Sequence, residues 1–323
     1  MRVAVLGAGA IGAYVGAALH RGGTEVHLIA RGAHLDAIRS NGVKVLSSRG
    51  DFEARTPATD DPAEVGPVDY VFLGLKANSY ASAGRLIEPL LHDHTVVVAA
   101  QNGIPWWYFH GLKGPYEGRR IESVDPDGSV TRVLDLDRAV GCVVYCSTEL
   151  AGPGVVQHLE GTRFSIGEPA GGPSTRCEQF SEAMIAGGLK CPVEADIRKD
   201  IWIKLLGNAA FNPISALARA TMVEIATHQG TRAMVRLMME ESLEIAAAVG
   251  CQPDISVDKR INGAERVGEH KTSMLQDLEL GRPMEVDAIV SAVVELARIT
   301  EVATPDLDAL DGMIQLLAKN ALG

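Results

Sequence analysis

Residues 7–12 read Gly7-Ala8-Gly9-Ala10-Ile11-Gly12, directly after the apolar run Val3-Ala4-Val5-Leu6. A G-x-G-x-x-G pattern has chemical meaning where a strand ends and a helix begins, and Ile11 to Leu19 have helical spacing. In that setting Gly7 permits the tight turn, Gly9 lets the backbone approach a pyrophosphate, and Gly12 lets helix and strand pack closely. The loop amides, with Ala8, Ala10 and Ile11 between the glycines, are expected to hold the anion at the positive end of the helix dipole. The next strand-like run ends Leu28-Ile29-Ala30-Arg31. NAD-binding versions of this loop carry an acid about 20 residues past the glycines, which accepts hydrogen bonds from the ribose 2′-hydroxyl. Arg31 stands 19 residues after Gly12 and has the opposite charge. A guanidinium there can grip a 2′-phosphate with two charge-assisted hydrogen bonds, so the sequence predicts NADPH as the cofactor. Lys76 and Asn102 follow two later strand-like runs and are further candidates for contact with cofactor ribose or substrate.

The second cluster lies in Trp202-Ile203-Lys204-Leu205-Leu206-Gly207-Asn208-Ala209-Ala210-Phe211-Asn212-Pro213. Lys204, Asn208 and Asn212 are spaced i, i+4, i+8, which places them in one stripe of a helix whose other positions are mostly apolar. Lys and two Asn without acidic partners suit an oxygen-rich substrate better than they suit a solvated face. Hydride transfer to a ketone creates negative charge on the carbonyl oxygen, and a protonated lysine can both stabilise that charge and deliver a proton. The asparagines can hold carboxylate or hydroxyl groups. Farther on, Thr272 to Asp277 and Gly281 to Glu285 offer polar groups near a helix–helix junction, with Pro283 suited to a helix start.

These residues need a scaffold. In the first 170 residues, the runs Val3–Leu6, Glu25–Ile29, Tyr70–Leu73 and Thr95–Ala99 alternate with helical patterns such as Ile11–Leu19 and Ser82–Leu91. That alternation implies a parallel sheet with right-handed crossovers. From Ala139 to Ile166 three strand-like runs follow one another across Gly/Pro turns without a helix, which reads as an antiparallel extension. A helix and a short strand at Cys191–Glu194 are expected to close this domain. The segments 197–211, 222–249, 258–280 and 284–299, and one after Pro305, have helical spacing. The fold class is therefore α/β: an N-terminal Rossmann-like parallel sheet with an antiparallel extension over residues 1–194, then an all-α domain over 195–323.

Composition narrows the function classes. Charged residues are 22% and hydrophobic residues 46%, ordinary for a folded soluble chain. The net charge of −11 argues against nucleic-acid binding, which rests on neutralising phosphates. No apolar stretch approaches the roughly 18–20 residues of a membrane span, and no secretory leader is evident, so a cytoplasmic protein is expected. The five cysteines are scattered and read as reduced thiols, and none completes a metal site. A homodimer is among the assemblies the sequence allows.

Together these motifs resemble the ketopantoate reductase (2-dehydropantoate 2-reductase) family over nearly the whole chain. The matching pieces are GAGAIG at 7–12, Arg31, LKAN at 75–78, QNG at 101–103, the W-x-K-L-x-x-N-x-x-x-N-P pattern at 202–213, SMLQD at 273–277 and E-x-D from Glu285. The resemblance implies a two-domain enzyme that reduces a small 2-oxo acid with NADPH in an interdomain cleft. It implies Lys204 as general acid, Asn208, Asn212 and Ser273 as substrate contacts, Asn102 as a contact to both ligands, and Glu285 as a contact to cofactor ribose or substrate. Two departures stand out. The polar turn common in the family about ten residues after the N-P pair reads Thr221-Met222-Val223-Glu224 here. The loop after Asn102 carries the aromatic run Ile104 to Phe109 and a longer Gly/Asp-rich extension, suited to packing or to a reshaped pocket. A related 2-hydroxy-acid dehydrogenase with another substrate and a non-catalytic NADP-binding redox sensor are the alternative readings.

Overall fold

Four apolar runs of four or five residues become the central strands of one mixed sheet. The computed structural model describes residues 1–321. Its first half supplies β1 (Arg2–Leu6), α1 (Ala10–Arg21), β2 (Glu25–Ile29), α2 (Gly32–Asn41), β3 (Val43–Ser47), β4 (Phe52–Ala54), β5 (Ala58–Thr59), β6 (Tyr70–Leu73), the single turn α3 (Gly84–Ile87), β7 (Val96–Ala99), β8 (Ala139–Gly152), β9 (Val155–Gly167) and α4 (Thr175–Ala186). The strand order is β4-β3-β9-β8-β7-β6-β1-β2-β5. Strands β2, β1, β6, β7 and β8 pair in parallel, whereas β8 and β9 form the long antiparallel hairpin of the extension. The central strands are buried on both faces, and for that reason they read as unbroken apolar runs instead of alternating ones. From β1 the chain winds to β2 on one side and later to β6 on the other. The ends of β1 and β6 therefore mark a topological switch point, where open α/β sheets bind ligands.

Some local expectations are corrected. Residues 82–91 do not form one helix. Three-residue 3-10 turns at Ala81–Ala83 and Glu88–Leu90 flank α3, because Pro89 offers no amide and Gly84 lies pressed against Val133. Cys191–Glu194 is not a strand; only single bridges, Arg163 to Lys190 and Ile166 to Val193, mark its approach to β9. The elements α2 and β3 to β5 went unread because they are short and weakly patterned, β4 and β5 spanning three and two residues.

After Gly187 no further strand forms among the described residues, and the rest is helical: α5 (Ile197–Ala218), α6 (Met222–Thr227), α7 (Gln229–Ala248), α8 (Val257–Val267), α9 (Ser273–Glu279), α10 (Ala292–Thr300) and α11 (Pro305–Ala321). The pattern 222–249 breaks at His228, whose extended backbone separates α6 from α7. The pattern 258–280 breaks between Gly268, with φ of 80°, and Thr272, whose hydroxyl accepts from Leu275 N and caps α9.

The chain groups into two units. One comprises Met1–Gln101, Phe109–Gly118 and Gly128–Ile197, and the other Asn102–Tyr108, Arg119–Asp127 and the chain from Arg198 onward. The helical unit thus includes two segments from the loop after β7, and specific bonds hold them there. Tyr108 O accepts from Arg198 Nε and Nη2 at 2.8 and 2.6 Å, and Tyr108 Oη accepts from Trp202 Nε1 at 2.7 Å. The carboxylate of Glu295 on α10 accepts from the amides of Glu122 and Ser123 at 2.7 and 2.8 Å. Ile104, Trp106, Trp107 and Tyr108 are buried, so the aromatic run packs. Burial pushes the Cys177 thiol up to about 11 and the Cys191 thiol up to about 12, too high for either to act as a nucleophile near neutrality. Among the described residues no helix is long and apolar enough to cross a membrane, and no cluster of His, Cys, Asp and Glu could hold a metal.

Candidate active site

The glycine loop takes the shape its sequence requires. Gly7 has φ of 92°, and a Cβ at Gly12 would strike the Gly7 carbonyl, so both positions demand glycine. A Cβ at Gly9 would meet nothing within 4 Å, so the space above it is open. Helix α1 begins immediately after, and no side chain caps it. Its first-turn amides, from Ala10 and Ile11, therefore remain available to an anion at the positive end of the helix. Ala8 differs from this expectation: its amide donates to Ile29 O at 2.9 Å and anchors the loop to β2 instead of facing a ligand.

Arg31 occupies the N-cap position of α2 and is exposed; its carbonyl accepts from Leu35 N at 3.4 Å, and its guanidinium makes no hydrogen bond or ion pair among the described residues. Lys76 follows β6 and opens the 3-10 turn Ala77–Ser79, half-buried. The glycine loop, Arg31 and Lys76 thus follow the carboxyl ends of β1, β2 and β6, three neighbours in the sheet.

In the helical unit the predicted stripe exists. Lys204 and Asn208 on α5 are half-buried, and Asn212 is only 6% exposed. Neither asparagine amide makes a hydrogen bond among the described residues. With no partner among those residues, the Asn212 amide is available to a ligand oxygen. Lys204 Nζ donates to Asn102 Oδ1 at 2.6 Å, and Asn102 Nδ2 donates to Glu285 Oε2 at 3.2 Å. This chain of bonds fixes which way the Asn102 amide faces. Its backbone is set by Gly103, with φ of 81°, because a Cβ there would strike the Ala288 carbonyl that accepts from Ile104 N at 2.8 Å. Glu285 lies two residues before a widened π turn, Asp287–Ser291, a feature frequent at functional sites.

Ser273 opens α9, exposed, and the structure shows no bond joining it to Lys204, Asn102 or Glu285. The departing turn at Thr221–Glu224 is bonded to the segment just before Ser273 in the chain: Met222 N donates to His270 O at 3.0 Å and Val223 N to Gly268 O at 3.2 Å. The Thr221 hydroxyl is already bonded to Glu224 at 2.7 Å. One residue was missed by sequence reasoning. The guanidinium of Arg260 on α8 lies over Gly207, whose missing Cβ makes the room. A glycine inside an otherwise strong helical pattern was the available signal.

Residues 3–106 match the family model described as ketopantoate reductase PanE/ApbA, and residues 196–318 match its C-terminal counterpart. The chain is 49% identical over 319 residues to a 2-dehydropantoate 2-reductase of Mesorhizobium japonicum, covering 98% of each. The crystal structure of 2-dehydropantoate 2-reductase from Geobacter metallireducens is similar with a TM-score of 0.86 and 30% identity, covering 98% of this chain and 100% of that one. D-mandelate dehydrogenase, solved with NADH and anilino(oxo)acetate, shares the fold at a TM-score of 0.83 and 23% identity, covering 99% of each chain.

Proposed function

The chain belongs to the ketopantoate reductase family, and from that premise we propose that it reduces 2-dehydropantoate to pantoate with NADPH. The observation that carries this reading is the Lys204–Asn102–Glu285 chain beside two unbonded asparagine amides. NADPH, which the glycine loop would hold, would supply a hydride to the substrate's C2 carbonyl carbon. The electron pair of the C=O bond then passes to oxygen. The Lys204 ammonium stabilises that developing charge and gives the oxygen its proton. Asn102 accepts from Lys204 and donates to Glu285, so it holds the ammonium in one direction. Asn208 and Asn212 present amides for the substrate's carboxylate and hydroxyl oxygens, and Ser273 contributes a further contact. Arg31, its guanidinium uncommitted and exposed, takes the 2′-phosphate, while Lys76 contacts the cofactor, Asn102 both ligands, and Glu285 cofactor ribose or substrate. A redox sensor without turnover would have no use for this lysine and its bonded support.

Substrate choice within the 2-oxo acids rests on Met222. With the Thr221 hydroxyl bonded to Glu224 and methionine next to it, the turn has no free side-chain donor for the distal hydroxyl of ketopantoate. A pocket that does not bond a hydroxyl selects weakly for it. The 4-deoxy analogue should therefore be reduced with a kcat/KM within about tenfold of ketopantoate, about 1.4 kcal/mol. The test follows NADPH oxidation with both compounds across a panel of 2-oxo acids. A preference above roughly 10³-fold for ketopantoate would show that another residue bonds the hydroxyl. No oxidation with any 2-oxo acid would overturn the proposed activity.

A further inference from the structure

His34 is the third residue of α2, half-buried, and both of its ring nitrogens are engaged. Gly154 N lies 3.0 Å from Nδ1, and Nε2 lies 2.8 Å from the carbonyl oxygen of Ala8. A backbone N–H can only donate and a carbonyl can only accept. One state of the ring satisfies both: neutral imidazole with its proton on Nε2. His34 therefore donates to the glycine loop while accepting from the turn between β8 and β9. That turn is itself fixed, because Gly154 O accepts from Lys44 N at 2.9 Å on β3.

The two peptide units that flank the Ala8 Cα are thus each held by one bond. The Ala8 N–H is bonded to Ile29 O on β2, and the Ala8 C=O to His34 on α2. Fixing the Ala8–Gly9 unit sets the direction of the Gly9 amide and the point from which the chain enters α1 at Ala10 and Ile11. The same helix carries Arg31 at its N-cap. We propose that His34 is a positioning residue for the dinucleotide, locking the pyrophosphate loop in register with the helix that carries the 2′-phosphate arginine. The proposal rests on the reading that NADPH binds at this loop. A ligand that needs the loop should sense the lock, and a fragment read mainly by Arg31 should not.

Three substitutions separate the bonds. His34→Asn can still accept from Gly154 through its amide oxygen but stops short of Ala8. His34→Gln reaches Ala8 with its amide nitrogen. His34→Ala does neither. Titration calorimetry with NADPH, NADH and 2′-AMP should show both dinucleotides weakened about tenfold by Ala and Asn, and restored to within threefold by Gln. The affinity for 2′-AMP should stay within twofold throughout. At saturating NADPH, kcat and the KM for the 2-oxo acid should also stay within twofold. A Gln variant as weak as Asn, an equal loss of 2′-AMP, or unchanged NADPH affinity in the Ala variant would each overturn the positioning role. Wild-type protein that binds no NADPH would overturn the cofactor reading, and this role with it.

Discussion

Alanine in place of Lys204 is expected to lower kcat about 10²-fold or more, the usual scale for loss of a proton donor. The side chain serves twice, as the charge beside the developing alkoxide and as the source of the proton, so its loss falls on the transition state. Substrate KM should rise less, because Asn208 and Asn212 remain. NADPH affinity should hardly change, since the glycine loop and Arg31 belong to the other unit. Lys204→Arg keeps the positive charge, but a guanidinium does not give up its proton in a protein. That variant should recover substrate binding and remain slow. Steady-state kinetics with separate NADPH titrations would check the pattern. Normal turnover by Lys204→Ala would reduce the lysine to a solvated helix residue.

The second large effect concerns cofactor choice. Arg31→Ala should weaken NADPH binding roughly ten- to a hundredfold and leave NADH nearly unchanged, because charge-assisted hydrogen bonds contribute about 1.5–3 kcal/mol each. The Arg31 side chain has no other bond to lose among the described residues, so little of the effect should come from altered folding. Arg31→Asp goes further: its carboxylate repels a 2′-phosphate and can accept from a 2′-hydroxyl, which should turn the preference toward NADH. Dissociation constants for both cofactors decide this. Equal losses for NADPH and NADH would remove Arg31 from the 2′-phosphate site.

What could be read from the sequence was what short-range pattern encodes. The glycine loop needs six consecutive residues and a strand before it. The Lys204, Asn208 and Asn212 stripe needs only helical spacing, and the structure places all three on α5. The Lys204–Asn102 bond joins residues 102 positions apart, and the Asn102–Glu285 bond spans 183. Spacing encodes neither. They depend on Gly103 settling against the Ala288 carbonyl, and the family resemblance alone brought Asn102 and Glu285 together as candidates. The role of Ala8 was misread for a similar reason. The pattern identifies a loop that cradles phosphate but not which of its amides is already bonded to β2. His34 carried no signal at all, because its partners are a carbonyl and an amide that any sequence would supply.

The central claim is hydride transfer from NADPH to C2 of 2-dehydropantoate. It is tested most directly with NADPH deuterated at both C4 positions, incubated with the enzyme and 2-dehydropantoate, and the product analysed by NMR and mass spectrometry. The account predicts pantoate carrying one deuterium at C2, formed in step with loss of the cofactor's absorbance. Absence of pantoate, or pantoate without deuterium at C2, would contradict it.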